Sequence, residues 1–427
     1  MTFKPYTKTI KNLLLVNKNN IINKSIILMV LIFIASINIL IKYHNFTNFN
    51  FTPFFEGKII KSFEKTNKHN KKYYVLHIKT KDFLLYTTTK TNLNSNNIRF
   101  KIVKNKITFK DYLKARFYAP IYKISELEQT KDDSFVAYIL SQHKHQKMKE
   151  FYGALFFAKP ISNELRNDIN HYGIAHLLAI SGYHLGLIYG VLFFIFKYIY
   201  AYFQKKFFPY RCMQFDLGVL IFLIIGLYFI KIGFIPSFLR SFVMGILGFY
   251  LLCRGIKLIN FLHLLLAYLI CISIFPSLLF NVGFFFSCIG VFYIFLYAKH
   301  FMKKTIYSII GFEIWTFFAM ILPVLYFFPL FSMQQLLAII ITPLFVIFYP
   351  LSIALHIFGF GNFFDEYLLI FLDYKMLSEN IHISTNIFLS YMVISFISIF
   401  NKYLAILLIC VNIFLFIWFF IKNYLFF

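Results

Sequence analysis

The sequence predicts a polytopic all-α membrane bundle of about ten spans, with a small external β-barrel of the OB type inserted after the first span. Three observations predict it. Hydrophobic residues make up 59% of the chain and charged residues only 14%, where an ordinary soluble domain carries roughly a quarter charged residues. Long runs rich in Phe, Ile and Tyr stay uncharged over the roughly 20 residues a helix needs to cross a ~30 Å hydrocarbon core. Sustained polar sequence is concentrated in one region near the N-terminus, and that region holds short β-type runs.

Residues 1–24 form a basic N-terminus, with Lys4, Lys8, Lys11, Lys18 and Lys24 and no acid. Residues 25–41 (SIILMVLIFIASINILI) are the first transmembrane anchor. No small-residue cleavage pattern follows them, so the reading is an uncleaved anchor rather than a removed signal.

Residues 42–150 differ in kind. Lys and Arg outnumber Asp and Glu there, and the runs GKIIKSF, KYYVLHIKT, DFLLYTTT and IRFKIV alternate with polar clusters such as EKTNKHNKK and KTNLNSNN. Short strands between turn-like clusters predict the small barrel. Residues 134–150 (SFVAYILSQHKHQKMKE) predict an amphipathic helix that closes the domain.

Residues 151–427 form the multi-span domain. Apolar segments fall at 174–203, 215–235, 237–253, 259–276, 278–298, 306–329, 334–358, 384–400 and 402–421. Their continuity excludes transmembrane β-strands, which alternate. Basic residues cluster at Lys205, Lys206 and Arg211, then Arg254 and Lys257, then Lys299, Lys303 and Lys304, while Pro276 to Asn281 and Phe327 to Gln335 carry no charge. By the positive-inside rule this places the N-terminus in the cytoplasm and residues 42–173 outside. Asp365, Glu366, Asp373, Lys375 and Glu379 break that pattern, and residues 363–379 read as an interfacial helix.

The net charge is +26. Lys, Asn, Ile, Phe and Tyr are over-used together, as an AT-rich coding sequence produces, so the placement of charge says more than its total. Five cysteines show no metal-ligand spacing and read as small apolar residues of membrane helices. No pattern asks for a cofactor, no Walker motif is present, and no HExxH occurs.

Two places interrupt the apolar bundle. In 171–190 (HYGIAHLLAISGYHLGLIYG), Ser181-Gly182 breaks a helix between His176 and His184, and Gly182, Gly186 and Gly190 repeat every four residues. Two readings fit. One is a small-residue stripe that lets a second helix approach closely. The other is a broken helix whose freed backbone groups line a solvated path. A metal held by His176 and His184 does not suit the spacing: on an ideal helix they lie ~80° apart in azimuth and ~12 Å along the axis. The second interruption is Arg240, just after Pro236. A mid-bilayer charge costs about 2.5–3.5 kcal/mol on insertion scales, so Arg240 either snorkels to the interface or faces a polar partner, such as a polyanion in transit.

The string HLLAISGYHLG at 176–186 resembles the signature of the ComEC-type competence family, close to HLLAISGLHVG there, with Tyr183 and Leu185 as the departures. PSFLRSFVM at 236–244 resembles the family's P-S-x-x-R-x-x-x-M stretch. Arg254, Pro276 to Leu279, Gly283 to Ser287, and Pro343 with Pro350 match its later positions. The resemblance covers roughly 150–360. It implies a channel of the bacterial inner membrane that brings single-stranded DNA into the cytoplasm during natural transformation. His176, Ser181, Gly182, His184 and Arg240 are then candidates for the DNA path. Lys71, Lys72, Tyr73, Tyr74, Arg99 and Lys101 are candidates for DNA binding on the external domain.

Many members of that family end in a metallo-β-lactamase-like domain with an HxHxDH motif. Here the one HxH is His143-Lys144-His145, followed by Gln146-Lys147, and no nuclease activity is expected. Strand degradation, DNA reception and motive force would then fall to a separate nuclease, a periplasmic DNA receptor and a cytoplasmic ATPase or helicase. A homo-oligomer in the lipid is compatible with the sequence. Two rival readings use the same features: an intramembrane enzyme acting on lipid or envelope glycan with a histidine base, and a transporter of another anionic polymer.

Overall fold

The computed structural model describes residues 18–66, 72–90, 93, 97–127, 134–233, 235–254 and 261–422. The chain divides into two compact units. The first holds residues 1–134 with 266–285, and the second holds 135–265 with 286–427.

The first unit begins with helix α1 (Lys18–Phe51). At 1.5 Å per residue its 34 residues reach roughly 50 Å, well beyond the hydrocarbon thickness. The expected anchor at 25–41 is therefore only part of it, and the barrel-like region does not begin at 42. The reason lies in two aromatic residues one turn apart. Phe46 and Phe49 stack with ring centroids 6.2 Å apart, and Phe49 is buried in the core of the sheet that follows. Burial of that aromatic face carries the helix past its apolar run. Lys104 closes the end of α1, with Nζ donating to the carbonyls of Asn50 at 3.0 Å and Thr52 at 2.6 Å, where the helix dipole favours a cation.

Six strands follow: β1 (Phe55–Thr66), β2 (Lys72–Lys79), β3 (Leu84–Thr89), β4 (Asn97–Ile102), β5 (Arg116–Tyr118) and β6 (Ile121–Leu127), with the short helix α2 (Phe109–Leu113) before β5. The sheet order is β5-β3-β2-β1-β4-β6. Pairing is antiparallel except for β3 with β5. Alternate residues Leu76, Ile78, Leu85, Ile98, Phe100 and Ile102 turn to one face and are buried with Phe49, Phe83, Tyr112 and Phe117. Register shifts at Ile59/Lys61 and Arg99/Lys101 curl the sheet, as bulges do.

The sheet is a half-barrel, not the closed barrel the sequence suggested. Its edges are β5, only three residues long, and β6, and aromatic side chains from α1 and α2 fill the core that further strands would otherwise cover. In the same unit Asn38 of α1 donates to the carbonyl of Ser273 at 2.8 Å, a polar tie of the kind that joins apolar helices.

The second unit is helical. The expected single helix at 134–150 is two, α3 (Ser134–Ser141) and α4 (Gln146–Phe157). The chain breaks between them because His143 turns into the protein, 2% exposed. Then come α5 (Asn163–His171), α6 (Ala175–Leu178), α7 (Gly182–Phe207), α8 (Met213–Ile232), α9 (Pro236–Cys253) and α10 (Phe261–Ile274), the last crossing the division between units. Next are α11 (Val282–His300), α12 (Ile306–Phe327), α13 (Ala338–Ile357), α14 (Asp365–Asp373), α15 (Thr385–Ile397) and α16 (Lys402–Phe420).

Among the described residues eight helical stretches are long and apolar enough to cross a membrane, and two shorter apolar helices, α10 and α15, accompany them. This is the pattern of a multi-pass membrane protein. Phe194, Tyr198, Leu223, Leu227, Val393 and Phe414 stand exposed on these helices, as side chains meeting lipid do. Between helices the glue is polar: Tyr293 hydroxyl meets Ser395 Oγ at 2.9 Å, and buried Asn412 donates to Tyr391 hydroxyl at 2.9 Å. The region 363–379 is not one interfacial helix. It is a 3-10 turn (Gly361–Phe364), α14, and a short strand β8 (Ser378–Asn380) paired with β7 (Leu330–Ser332), and Asp365 at its start is buried.

Candidate functional site

The helix break falls where the sequence places it. α6 ends at Leu178, Ala179 and Ser181 are extended, and α7 starts at Gly182. Ser181 caps α7 in a box with His184: Ser181 Oγ accepts from the Tyr183 N–H, and His184 Nδ1 accepts from the Ser181 N–H, both at 3.3 Å. The Ile180 carbonyl, freed by the break, accepts from Ser237 Oγ at 2.8 Å. These backbone groups are satisfied by protein.

Because Nδ1 of His184 accepts, its proton sits on Nε2. That nitrogen is buried, the Leu177 carbonyl lies within reach of the ring, and the ring stands edge-on to Phe345 and Tyr349. His176 does not join this centre. It is exposed, with Nδ1 at 3.1 Å from the Gly173 carbonyl and Nε2 at 3.3 Å from Thr342 Oγ1.

Pro236 starts α9 and delivers Arg240 to the break one turn later. Arg240 is 4% exposed, so it is buried in the protein rather than reaching for an interface. Its guanidinium donates from Nε to Ser287 Oγ at 2.7 Å, from Nη1 to Met244 Sδ at 2.8 Å and from Nη2 to Ser241 Oγ at 2.8 Å. A Cβ on Gly182 would lie 2.7 Å from Ser241 Oγ and 3.5 Å from Arg240 Nη2. Close approach of α9 to α7 at this point requires glycine. At Gly186 and Gly190 a Cβ would meet nothing within 4 Å among the described residues, so within this chain only Gly182 of the three seats another helix. One glycine seats a helix and two leave a bare face.

On the half-barrel the six sequence candidates separate. Lys71 lies outside the described residues. Lys72 pairs with Glu64 at 2.7 Å. Tyr74 packs on the buried core and is not a free platform. Arg99 and Lys101, two residues apart on β4, both lie over the Phe54 ring, at 4.9 and 4.5 Å from its centroid.

Tyr73 shares the outer face with a row that sequence reading missed. Register places Lys61 beside His77, His77 beside Tyr86, and Tyr86 beside Tyr118. Phe63 meets His77 edge-on at 5.7 Å, and His77 meets Tyr86 at 4.4 Å. Lys61, Lys65 and Arg116 lie over the Phe63 and Tyr86 rings. The sequence carries only a local trace of this row, the alternation Lys61-Phe63-Lys65, because the row forms from partners on four strands.

The competence protein family model matches residues 157–423, more than half of the chain. The chain belongs to the competence protein family. No curated protein and no solved structure matches it. The break at Ser181-Gly182, Arg240 and Ser287 all fall inside the segment shared with the competence family, while the half-barrel precedes it.

Proposed function

We propose that this competence-family chain admits one strand of DNA to the cytoplasm through its helical unit. The family match over 157–423 carries the reading, since that family ties the chain to DNA uptake. The half-barrel would stand outside the inner membrane, with the N-terminus in the cytoplasm, and receive the strand. Its outer face supports this, because alternating cations and aromatic rings suit a phosphate backbone and stacked bases.

Within the helical unit the bare face of α7 at Gly186 and Gly190 continues from the break that Arg240 holds. A strand following that face would start beside the buried charge of Arg240, whose field favours phosphate where lipid offers none. His184 caps the break, and His176 and His184 remain candidates for the path beside it.

The reading assigns no nuclease role to the HxH segment, because His143 is committed to Asp365 and His356. Strand degradation, capture and motive force are assigned to separate proteins. In-frame deletion tests the proposal: transformation should be lost while growth and envelope stay intact, and normal transformation in the deletion strain rejects it.

A further inference from the structure

His143, in the linker between α3 and α4, meets two groups far away in sequence. Its Nδ1 lies 3.0 Å from both carboxylate oxygens of Asp365, and its Nε2 lies 3.0 Å from Nε2 of His356. All three side chains are buried. The proton placement follows from chemistry that offers few choices. His356 Nδ1 lies 2.6 Å from the Ser352 carbonyl. A carbonyl only accepts, so that nitrogen carries a proton.

If Asp365 is ionised, His143 Nδ1 must likewise donate to it. Both Nε2 atoms would then present lone pairs to each other at 3.0 Å unless a cation lies between them. If instead Asp365 is protonated and donates to His143 Nδ1, His143 carries its own proton on Nε2 and donates it to His356. With a proton as that cation the first form holds as many protons as the second, and each then has one proton between the rings.

We propose that His143 and His356 form a proton-binding site, holding one proton between their Nε2 atoms with Asp365 as its counter-ion. Three surroundings favour a positive charge there. Asp365 is one. His356 stands in the last turn of α13, where the helix dipole favours a cation. Tyr152 of α4 stacks flat on the His143 ring, at 4.4 Å and 9°, and offers its π face.

Burial pushes the Asp365 carboxyl up, and His143 and then His145 oppose that shift. The Tyr152 phenol is raised by burial and by Asp365, so it adds no negative charge. The titratable groups the structure places around the site are thus Asp365, His145 and Tyr152.

The site also acts as a clasp. Gln142 Nε2 donates to the His356 carbonyl at 2.9 Å, and Gln142 Oε1 accepts from the Gly361 N–H at 2.8 Å. A Cβ on Gly361 would fall 2.5 Å from Gln142 Oε1 and 2.8 Å from His356 Nε2, so only glycine lets this backbone cover the pair. Loss of the proton sets two lone pairs face to face and drives the linker off the end of α13.

The test is solid-state NMR of the full chain in lipid bilayers at pH 7.5, with histidine rings labelled by ¹⁵N, alongside elemental analysis for zinc and copper. His143→Gln and His356→Gln identify the two rings. The expected spectrum correlates the two Nε2 nuclei through one proton, at shifts between those of bare and protonated nitrogen, and Asp365→Asn, whose amide can donate to His143 Nδ1, replaces it with an ordinary pair of one protonated and one bare Nε2. Two bare Nε2 signals, or stoichiometric metal in place of the bridging proton, overturn the proposal. The wild-type spectrum decides the matter alone if a variant fails to fold.

Discussion

Arg240 donates from Nε to Ser287 Oγ at 2.7 Å, which ties the first turns of α9 to α11 beside the break in α7. The same guanidinium reaches Ser241 and Met244, so its position is fixed from several sides. Replacing it removes both a charge and a brace. A hydrogen bond from a charged group is worth roughly 1.5–3 kcal/mol, so Arg240→Ala at normal membrane abundance should lower DNA uptake by about ten- to a hundredfold. Arg240→Lys keeps the charge without the fork and should recover part of the loss. Uptake of labelled DNA at matched protein levels checks both variants.

Gly182 and Gly186 should respond oppositely to the same methyl group. Alanine at 182 collides with Ser241 Oγ at 2.7 Å, whereas alanine at 186 meets nothing within 4 Å. Overpacking of this kind costs about 1–3 kcal/mol. Gly182→Ala should therefore lower the melting temperature of the purified chain, and Gly186→Ala should leave it unchanged or slightly raised. Melting curves in one lipid or detergent read the difference.

Asp168 lies buried between Lys147 and Lys375, with Nζ···O distances of 2.9 and 2.6 Å. Burial alone would raise its carboxyl, but hydrogen bonds from Lys375 and then Lys147 more than offset this and hold it below the usual range. A depressed folded value means stability that is present above the unfolded value, about 3.9, and is lost as pH falls through the folded one. Melting temperature should show no pH dependence from this group between about pH 5 and pH 8, where its stabilisation is fully present, and should fall below about pH 4. Asp168→Asn should remove that acid limb and destabilise the chain at neutral pH, because two lysines lose their partner. A pH series of thermal melts tests it.

The outer face of the half-barrel should bind single strands through Phe63 and Tyr86. A stacked base is worth about 1–3 kcal/mol on alanine substitution, so either change should weaken oligonucleotide binding by roughly five- to a hundredfold. Lys61→Gln with Lys65→Gln should instead flatten the salt dependence. Tyr74, which packs against the core, should affect stability more than binding. Fluorescence anisotropy on the full chain in lipid discs distinguishes the three.

What the sequence made legible follows its physics. The helices Met213–Ile232 and Pro236–Cys253 lie close to their expected bounds, because charge-free runs have one solution in lipid. Ser181-Gly182 was legible because serine caps helices and the run stopped there. Arg240 was legible as an anomaly, but its hydroxyl partners on α9 and α11 were not. The closed barrel failed because alternation reports strands, not whether edge strands meet. The helix at 134–150 failed because amphipathicity over 17 residues concealed the burial of His143, whose partner Asp365 lies 222 residues away. Such pairings are fixed by tertiary packing, and no local pattern encodes them.

The measurement that tests the central claim most directly is the location of labelled DNA in cells carrying the in-frame deletion, compared with cells where the intact gene is restored. The account predicts that label still binds the cell surface but fails to reach a nuclease-resistant cytoplasmic fraction, and that restoration returns it. Equal cytoplasmic label with and without the protein would contradict the account.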